Sequence, residues 1–225
     1  MSFSNRLHTK AQSIWEASHN HPFVQGIGHG DLDLEKFKFF MKQDYVYLID
    51  YARLFALASM KATTLTHMSY FAKMLDATLN IEMDLHRQYA ERLGISAEEL
   101  EATQPAPMAL AYSSYMLSIS ERGSLIDLVT AILPCAWSYY EIGKKLAEIP
   151  GAMDHELYGE WVQMYQSDEF GDIAHWLIDV LDQLATGLPE AELSRLEDIF
   201  LTTSRFEYMF WEMSNNEETW PSDVR

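Results

Sequence analysis

Apolar positions recur at intervals of three and four residues along almost the whole chain. This spacing places apolar side chains on one face of an α-helix, and no segment shows the alternation typical of a half-buried strand. The pattern predicts helices at residues 4–19, 33–62, 64–93, 107–122, 124–148, 155–166, 169–186 and 190–214. The sequence therefore predicts an all-α fold, and the length of several segments favours a helical bundle.

The stretches between these segments contain residues that commonly end or begin helices. The glycine-rich stretch HNHPFVQGIGHGDLD (19–33) is interpreted as a break between the first two helices. Gly94 is predicted to cap a helix C-terminus, and Ser96 with Glu99 to form a capping box. No segment has the composition of a linker, and no repeat is found. We therefore predict a single domain over residues 1–225.

Composition and charge narrow the classes of function. The chain carries 34 acidic against 16 Lys and Arg residues, a formal net charge of −18. Nucleic-acid binding needs a basic surface, which such a composition does not supply, and anionic lipid is repelled in the same way. The N-terminal stretch lacks the apolar core of a signal peptide, and no apolar run reaches the roughly 18 residues of a membrane span. We expect a cytoplasmic protein without nucleic-acid or membrane partners.

The single cysteine lies in LPCAWSYYEIG (133–143), inside an apolar predicted helix. With one cysteine the chain can form neither an internal disulfide nor a cysteine zinc site. Most such cysteines are inert core residues. However, Pro134 is expected to kink or restart the helix, and a restart would place Cys135 in a first turn that favours the thiolate. Tyr139 is one turn further on and shares its face. Both interpretations of Cys135 stay open at this point.

A carboxylate also lies on an aromatic helix face within residues 40–62. Asp44 shares this face with Tyr47, Leu48, Tyr51 and Phe55. A carboxylate in such surroundings needs a partner or a cavity. One interpretation is a structural salt bridge, for instance to Arg53 or Lys61. The other is a carboxylate that accepts hydrogen bonds from an amidine-like ligand.

A second carboxylate lies in RFEYMFWEM (205–213), where Glu207 is surrounded by aromatic residues. Desolvation by such neighbours would raise the pKa of a carboxyl group and make it a candidate acid/base. The alternative is a surface glutamate on an amphipathic helix, and Glu212 competes for the same role. Tyr112 and Tyr165 are further aromatic-polar positions, although each of the 12 tyrosines is weak evidence by itself.

The sequence also contains carboxylate–histidine pairs of the kind that bind metal ions. Helical di-iron proteins carry matched Glu-x-x-His motifs on two helices. Here only isolated pairs occur, such as Glu16 with His19 and Glu82 with His86. The sequence therefore favours no metal site, and His67, His86 and His175 are interpreted as hydrogen-bonded helix histidines.

Four stretches of the chain resemble one known family. QDYVYLIDYARLFALASMKA, LPCAWSYYEIGKKL, WVQMYQSDEF and RFEYMFWEM look like the successive signature blocks of the thiaminase II (TenA) family. They occur in the family's order and spacing from residue 43 to residue 213. The P-C-x-W-x-Y block is similar to that of the family's cysteine-containing branch.

This resemblance implies a fold similar to haem oxygenase, without haem or another cofactor, and a homotetramer. The implied enzyme is an aminopyrimidine aminohydrolase that acts in thiamin salvage and biosynthesis. Its substrates would be 4-amino-5-aminomethyl-2-methylpyrimidine and thiamin. Hydrolysis at the exocyclic methylene would give 4-amino-5-hydroxymethyl-2-methylpyrimidine from either compound.

The resemblance also implies roles for individual residues. Cys135 matches the nucleophile, Glu207 the acid/base carboxylate, and Asp44 the carboxylate that binds the aminopyrimidine edge. Four tyrosines match positions that line the pocket or hydrogen-bond the ring and the catalytic groups: Tyr47, Tyr112, Tyr139 and Tyr165. Tyr115 lies one turn beyond Tyr112 in LAYSSYM (110–116) and is a competing position.

Two other classes of function remain as alternatives. One is a non-catalytic pyrimidine-binding or regulatory protein, although no basic DNA-reading helix is found. The other is a cofactor-free or di-iron oxidase on the same fold. Such an oxidase would need histidines and arginines around a pocket, or matched carboxylate–histidine motifs.

Overall fold

The computed structural model describes residues 2–221, and every regular element among them is helical. The predicted all-α class is therefore confirmed. The α-helices run, in chain order, over Phe3–His19 (α1), Pro22–His29 (α2), Leu34–Lys61 (α3), Leu65–Ala77 (α4), Met83–Arg92 (α5), Ala97–Ala102 (α6), Pro107–Arg122 (α7), Leu125–Ala147 (α8), Gly159–Gln166 (α9), Asp168–Ala185 (α10) and Glu190–Asn216 (α11). A π-helical segment, Thr78–Glu82, joins α4 to α5, and a 3₁₀ turn, Ala152–Asp154, precedes α9.

Local side-chain chemistry explains where several helices begin and end. Ser96 and Glu99 form the predicted capping box at the start of α6, with both reciprocal hydrogen bonds present. Ser167 accepts a hydrogen bond from the Phe170 N–H and caps the start of α10. Gly94, which follows α5, has φ = +80°, the left-handed conformation expected of a glycine cap.

The stretch interpreted as a glycine-rich break contains a helix that the sequence analysis missed. In α2 the glycines are packing positions, because a Cβ atom on Gly28 would lie 2.7 Å from Ile149 Cδ1 and 2.8 Å from Leu146 Cδ2. Pro22 occupies the first turn and Gly30 ends the helix at φ = +74°. The helix forms because it buries Phe23, Val24 and Ile27, which outweighs the low helix propensity of glycine.

Contacts between Cα atoms divide the chain into two compact units. The first unit runs up to Asp33 and includes Ile126–Glu212, and the second comprises Leu34–Leu125 with the residues from Met213 onward. The single domain predicted for residues 1–225 stays a prediction.

The first unit contains α1, α2, nearly all of α8, α9, α10 and most of α11. Its aromatic core includes Trp15, whose indole N–H donates to Ser204 Oγ at 3.1 Å. Helix α8 is long and apolar enough to cross a membrane by composition, but 78% of its most apolar window is buried in the protein. It also carries the buried Asp127, which pairs with Arg195 at 2.5 Å. These features are typical of the core helix of a folded domain.

The second unit is built around α3, which packs against α4, α5, α6 and α7. The Gln43 side chain of α3 holds the segment that precedes α7. Its Oε1 accepts from the Ala106 N–H at 2.7 Å, and its Nε2 donates to the Gln104 carbonyl at 3.2 Å. These bonds determine where α7 begins, and thereby the position of Tyr112 on it.

Candidate active site

The predicted aromatic face of α3 is buried, as the sequence indicated. Asp44, Tyr47, Leu48, Tyr51 and Phe55 are all buried. The Tyr47 ring stacks on Tyr51 with centroids 5.6 Å apart, and Tyr51 meets Phe55 edge-on at 4.9 Å. The Asp44 carboxylate thus lies on the same buried helix face as three contacting aromatic rings. We call these residues, with Tyr112 and His86, the Asp44 cluster.

Tyr112 belongs to the Asp44 cluster, whereas the competing Tyr115 is less buried. The Tyr112 side chain is fully packed and stacks on Tyr47, with ring centroids 5.4 Å apart and planes 30° apart. Tyr115 lies at a partly exposed position of α7. Packing therefore favours Tyr112 as the tyrosine of this helix that supports the site.

The cations considered as salt-bridge partners of Asp44 have other partners. Arg53 pairs with Asp50, one turn before it on α3. Lys61 Nζ donates to the Gly123 carbonyl at 2.7 Å. His86 of α5 approaches the Asp44 carboxylate, with its Nδ1 3.7 Å from Asp44 Oδ2.

His86 is the hydrogen-bonded helix histidine that the sequence predicted. Its Nε2 lies 2.7 Å from the Met41 carbonyl oxygen on α3. Burial is the largest influence on this group and lowers the pKa of His86 to about 4. The imidazole is therefore neutral near pH 7, despite the neighbouring carboxylate.

Cys135 lies within a continuous α8, so the helix does not restart at Pro134. Of the two alternatives at Pro134, a kink or a restart, the restart is therefore excluded, and with it the first-turn environment of the thiol. Leu133 and Ala136 on either side are buried, and this burial holds the helix together although proline removes one backbone hydrogen bond. Cys135 itself is half-buried and forms no disulfide.

Tyr139, one turn after Cys135, belongs to a cluster of large aromatic side chains in the first unit. Its ring centroid lies 4.9 Å from Tyr165 of α9, 5.0 Å from Trp211 of α11 and 5.9 Å from Trp161 of α9. The structure thus brings together the two predicted tyrosines of this unit, Tyr139 and Tyr165. We call these four aromatic residues, together with Cys135 and Glu207 one helical turn before Tyr139 and Trp211, the Cys135 cluster.

Glu207 lies on the same face of α11 as Trp211, one turn before it. Only 2% of the Glu207 residue is exposed. Glu212 is different, because 41% of its side chain is exposed and its Oε1 accepts from Tyr208 Oη at 2.9 Å. Burial therefore singles out Glu207 from the two glutamates that the sequence left in competition.

Helices α8 and α9 approach closely where these tyrosines meet. A Cβ atom on Gly143 of α8 would overlap the Tyr165 carbonyl carbon and lie 2.6 Å from the Gln166 backbone nitrogen. Only glycine fits at this position, so Gly143 determines how near α9 brings Tyr165 to Tyr139.

The two clusters contain carboxylate and histidine side chains, which are common ligands in metal sites. Among residues 2–221, no group of three His, Cys, Asp or Glu side chains is arranged to hold a metal ion. The candidate pair Glu82 and His86 contributes a histidine whose Nε2 is already bonded to a backbone carbonyl.

Sequence reasoning did not find His86, Trp161 and Trp211 as parts of the clusters. His86 lies 42 positions after Asp44, and the contact arises from the packing of α5 on α3. The two tryptophans join the Cys135 cluster through α9 and α11. Large aromatic side chains favour burial, but the sequence does not show which other side chains these two contact.

The profile of the TENA/THI-4/PQQC family matches residues 8–217 of this chain. The chain is 64% identical to the aminopyrimidine aminohydrolase of Halalkalibacterium halodurans over 98% of both proteins. It is 41% identical to the aminopyrimidine aminohydrolase of Helicobacter pylori, over 95% of this chain and 99% of that protein. The protein therefore belongs to the TENA/THI-4/PQQC family, and the family prediction is confirmed.

Solved structures support the same assignment. A TenA homologue from P. horikoshii superposes with a TM-score of 0.88 at 30% identity, covering 96% of this chain and 99% of that one. A domain from Shewanella denitrificans, described as having a heme oxygenase-like fold, superposes with a TM-score of 0.76 at 14% identity over 95% and 92% of the chains. The predicted haem oxygenase-like fold is confirmed.

Proposed function

We propose that this protein is an aminopyrimidine aminohydrolase of thiamin salvage and biosynthesis. The observation that carries the proposal is the 64% identity to the Halalkalibacterium halodurans aminopyrimidine aminohydrolase over nearly the full length of both chains. The substrates are 4-amino-5-aminomethyl-2-methylpyrimidine and thiamin. Both yield 4-amino-5-hydroxymethyl-2-methylpyrimidine.

Cys135 is the proposed nucleophile. Direct displacement at a methylene attached to a heteroaromatic ring is slow. The electron-poor pyrimidine ring accepts a nucleophile at C6, so a covalent route through the ring lowers the barrier. The thiolate sulfur forms a bond to C6 of the pyrimidine, and the ring nitrogen next to C6 takes up a proton. The electron pair then expels the leaving group from the methylene carbon. The half-buried position of Cys135 supports this role, since the sulfur is neither fully enclosed nor fully solvated.

Glu207 is the proposed proton donor and acceptor. In the acid form it protonates the ring nitrogen as sulfur adds. The leaving group departs as ammonia from the protonated aminomethyl group, or as the neutral thiazole. A water molecule then adds to the exocyclic methylene and gives up one proton, to the released ammonia or to solvent. The carboxylate takes the proton back from the ring nitrogen as the carbon–sulfur bond breaks, which restores the aromatic ring. The burial of Glu207 supports an assignment to proton transfer, because a buried carboxyl group exchanges protons with its site rather than with bulk water.

Asp44 is the proposed anchor of the substrate. A buried carboxylate accepts hydrogen bonds from the exocyclic amino group and the adjoining ring edge, and charge-assisted bonds of this kind are strong. The tyrosines Tyr47, Tyr112, Tyr139 and Tyr165 supply stacking surfaces and hydroxyl groups without adding charge. Their placement in the two aromatic clusters supports these roles.

The proposal extends to the setting of the enzyme. We propose a cytoplasmic homotetramer that requires no cofactor and binds neither nucleic acid nor membrane. The net charge of −18 supports the last two points, because it opposes association with phosphate groups.

The experiment that tests the function is a substrate assay on the purified full chain. The protein is incubated separately with the aminomethylpyrimidine and with thiamin, and the hydroxymethyl product is quantified by chromatography. We expect product from at least one substrate, with one ammonia released per product molecule from the aminomethylpyrimidine. Absence of product from both would overturn the proposal, and iron analysis of the same sample would then test the oxidase alternative.

A further inference from the structure

His86 belongs to the Asp44 cluster but has no assigned part in the reaction. Its ring spans two positions of α3 that are three residues apart, Met41 and Asp44. The Nε2 atom lies 2.7 Å from the Met41 carbonyl oxygen, and the Nδ1 atom lies 3.7 Å from Asp44 Oδ2. Only 8% of the His86 side chain and 9% of the Asp44 side chain are exposed. The imidazole is thus fixed at one end and placed against the carboxylate at the other.

The bond to Met41 determines the tautomer of the ring. A carbonyl oxygen only accepts hydrogen bonds, so Nε2 must carry the hydrogen. Burial lowers the pKa of His86 to about 4, and the positive charge of Arg87 acts in the same direction. Near neutral pH the ring is therefore uncharged, and Nδ1 presents a lone pair towards Asp44.

A neutral imidazole beside a carboxylate has a definite consequence for ligand binding. An imidazolium at this position would form an ion pair with Asp44 and reduce its attraction for a ligand donor. The neutral ring fills the space next to the carboxylate but leaves its negative charge undiminished by this contact. Because the ring is held by a backbone carbonyl, it restricts the directions in which the Asp44 carboxylate can turn.

We propose that His86 is a positioning residue that orients Asp44 for the amino group of the aminopyrimidine without forming an ion pair with the carboxylate. The proposal rests on the proposed function, because it assigns Asp44 to substrate binding. His86 itself does not touch the reacting atoms. It acts on how tightly the pyrimidine is held, so KM and product affinity respond to its removal more than kcat does.

The test measures affinity for 4-amino-5-hydroxymethyl-2-methylpyrimidine by isothermal titration calorimetry. His86→Phe keeps a ring of similar size but loses both nitrogen atoms. His86→Gln keeps an amide N–H for the Met41 carbonyl and an acceptor oxygen. We expect His86→Phe to weaken binding by about fivefold, the range of one hydrogen bond between neutral groups, because the ring is no longer held by the Met41 carbonyl, and to change kcat by less than about threefold. His86→Gln should recover most of the affinity.

A double-mutant cycle with Asp44→Asn separates positioning from general destabilisation. If His86 acts through Asp44, His86→Phe causes little further loss of affinity once Asp44 is replaced. Wild-type affinity in His86→Phe, or losses that multiply in the double variant, would overturn the proposal. His86→Asn, whose shorter side chain cannot span Met41 and Asp44, provides the same comparison if the phenylalanine variant fails to fold.

Two controls keep the outcomes distinct. Gln88→Ala changes an exposed residue of the same helix and should bind the product as the wild type does. Wild-type affinity in Asp44→Asn would instead contradict the proposed role of Asp44, and with it the proposed function of the cluster, independently of any result for His86.

Discussion

At the scale of single residues, burial resolves choices that the sequence left open. The pattern of RFEYMFWEM favoured Glu207 and left Glu212 as a competitor, because both lie among aromatic residues. The structure buries Glu207 and leaves 41% of the Glu212 side chain exposed. The sequence could show that a carboxylate lies on an aromatic helix, but the rotation of that helix depends on tertiary packing that periodicity determines only coarsely.

The difference between these two glutamates gives a paired prediction. Glu207→Gln keeps the shape of the side chain but cannot transfer a proton, so kcat should fall by about 100-fold or more, the usual contribution of a general acid or base. Glu212→Gln is the matched control on the same helix and should stay within about threefold of wild type. Steady-state product formation measures both. Equal losses in the two variants would contradict the assignment of Glu207.

Contacts between residues far apart in the sequence were not predicted. The i, i+4 spacing of Glu82 and His86 was visible in the sequence, but it suggested only a weak metal pair. The contact between His86 Nδ1 and Asp44 Oδ2 depends on the packing of α5 against α3. Nothing in the sequence near His86 indicates that packing.

At the scale of elements, helical periodicity predicted the long helices, but the glycines of α2 were interpreted as a break in the chain. The long helices α3, α8 and α11 lie within a few residues of their predicted ends. By contrast, α2 was missed because Gly26 and Gly28 were interpreted as chain breaks. Both glycines are buried at close contacts, where a Cβ atom would meet Leu32 or Leu146. Sequence alone does not distinguish a glycine used for its flexibility from one used for its small size.

The contact at Gly143 gives a prediction about the packing of α8 against α9. Gly143→Ala would place a Cβ atom against the backbone at Tyr165, which cannot move without shifting α9. We expect a loss of about 1–3 kcal/mol in the free energy of unfolding, measured by urea denaturation, and a lower kcat through displacement of Tyr165.

Gly171→Ala is the matched comparison for Gly143→Ala. Its new Cβ atom would lie 2.7 Å from carbon atoms of the Tyr140 ring, a side chain that can rotate away. The gain in helix propensity from alanine partly offsets this clash. The Gly171 variant should therefore be the more stable of the two, and the reverse order would contradict the account of the α8–α9 contact.

At the scale of the whole molecule, helical periodicity predicted the all-α class and the resemblance of four stretches predicted the family, and both predictions are confirmed. The shifted pKa values of buried titratable groups give the folded protein a pH dependence that the sequence does not show. Burial is the main cause that lowers the pKa of both His19 and His86 to about 4. Burial also raises the pKa of Glu82, in the π-helical segment, to about 7. These shifts make folding stability depend on pH in opposite directions.

The direction in which each group changes folding stability depends on whether the folded or the unfolded chain binds its proton more tightly. Between about pH 6.5 and pH 4 the unfolded chain protonates His19 and His86 while the folded chain does not, so stability falls as the pH falls. Between about pH 7 and pH 4.5 the folded chain holds a proton on Glu82 that the unfolded chain has lost, so acidification stabilises through this group. Each shift corresponds to about 3 kcal/mol, and the two histidines together outweigh Glu82.

Glu82→Gln tests this balance, because glutamine removes the titration but keeps the side-chain shape. Relative to wild type, the variant should gain about 3 kcal/mol of unfolding free energy at pH 8 and be nearly unchanged at pH 4.5. Urea denaturation across this range gives the comparison. A constant difference between the two proteins at all pH values would contradict the raised pKa of Glu82.

The central claim is that Cys135 is the nucleophile of an aminopyrimidine hydrolase, and one comparison tests it most directly. The rate of hydroxymethylpyrimidine formation is measured for wild type and for Cys135→Ala, with circular dichroism confirming that both are folded. Cys135 is the single cysteine of the chain, so no other thiol can substitute. The account predicts a fall of more than about 1,000-fold in kcat. Activity of the alanine variant within tenfold of wild type would contradict the mechanism.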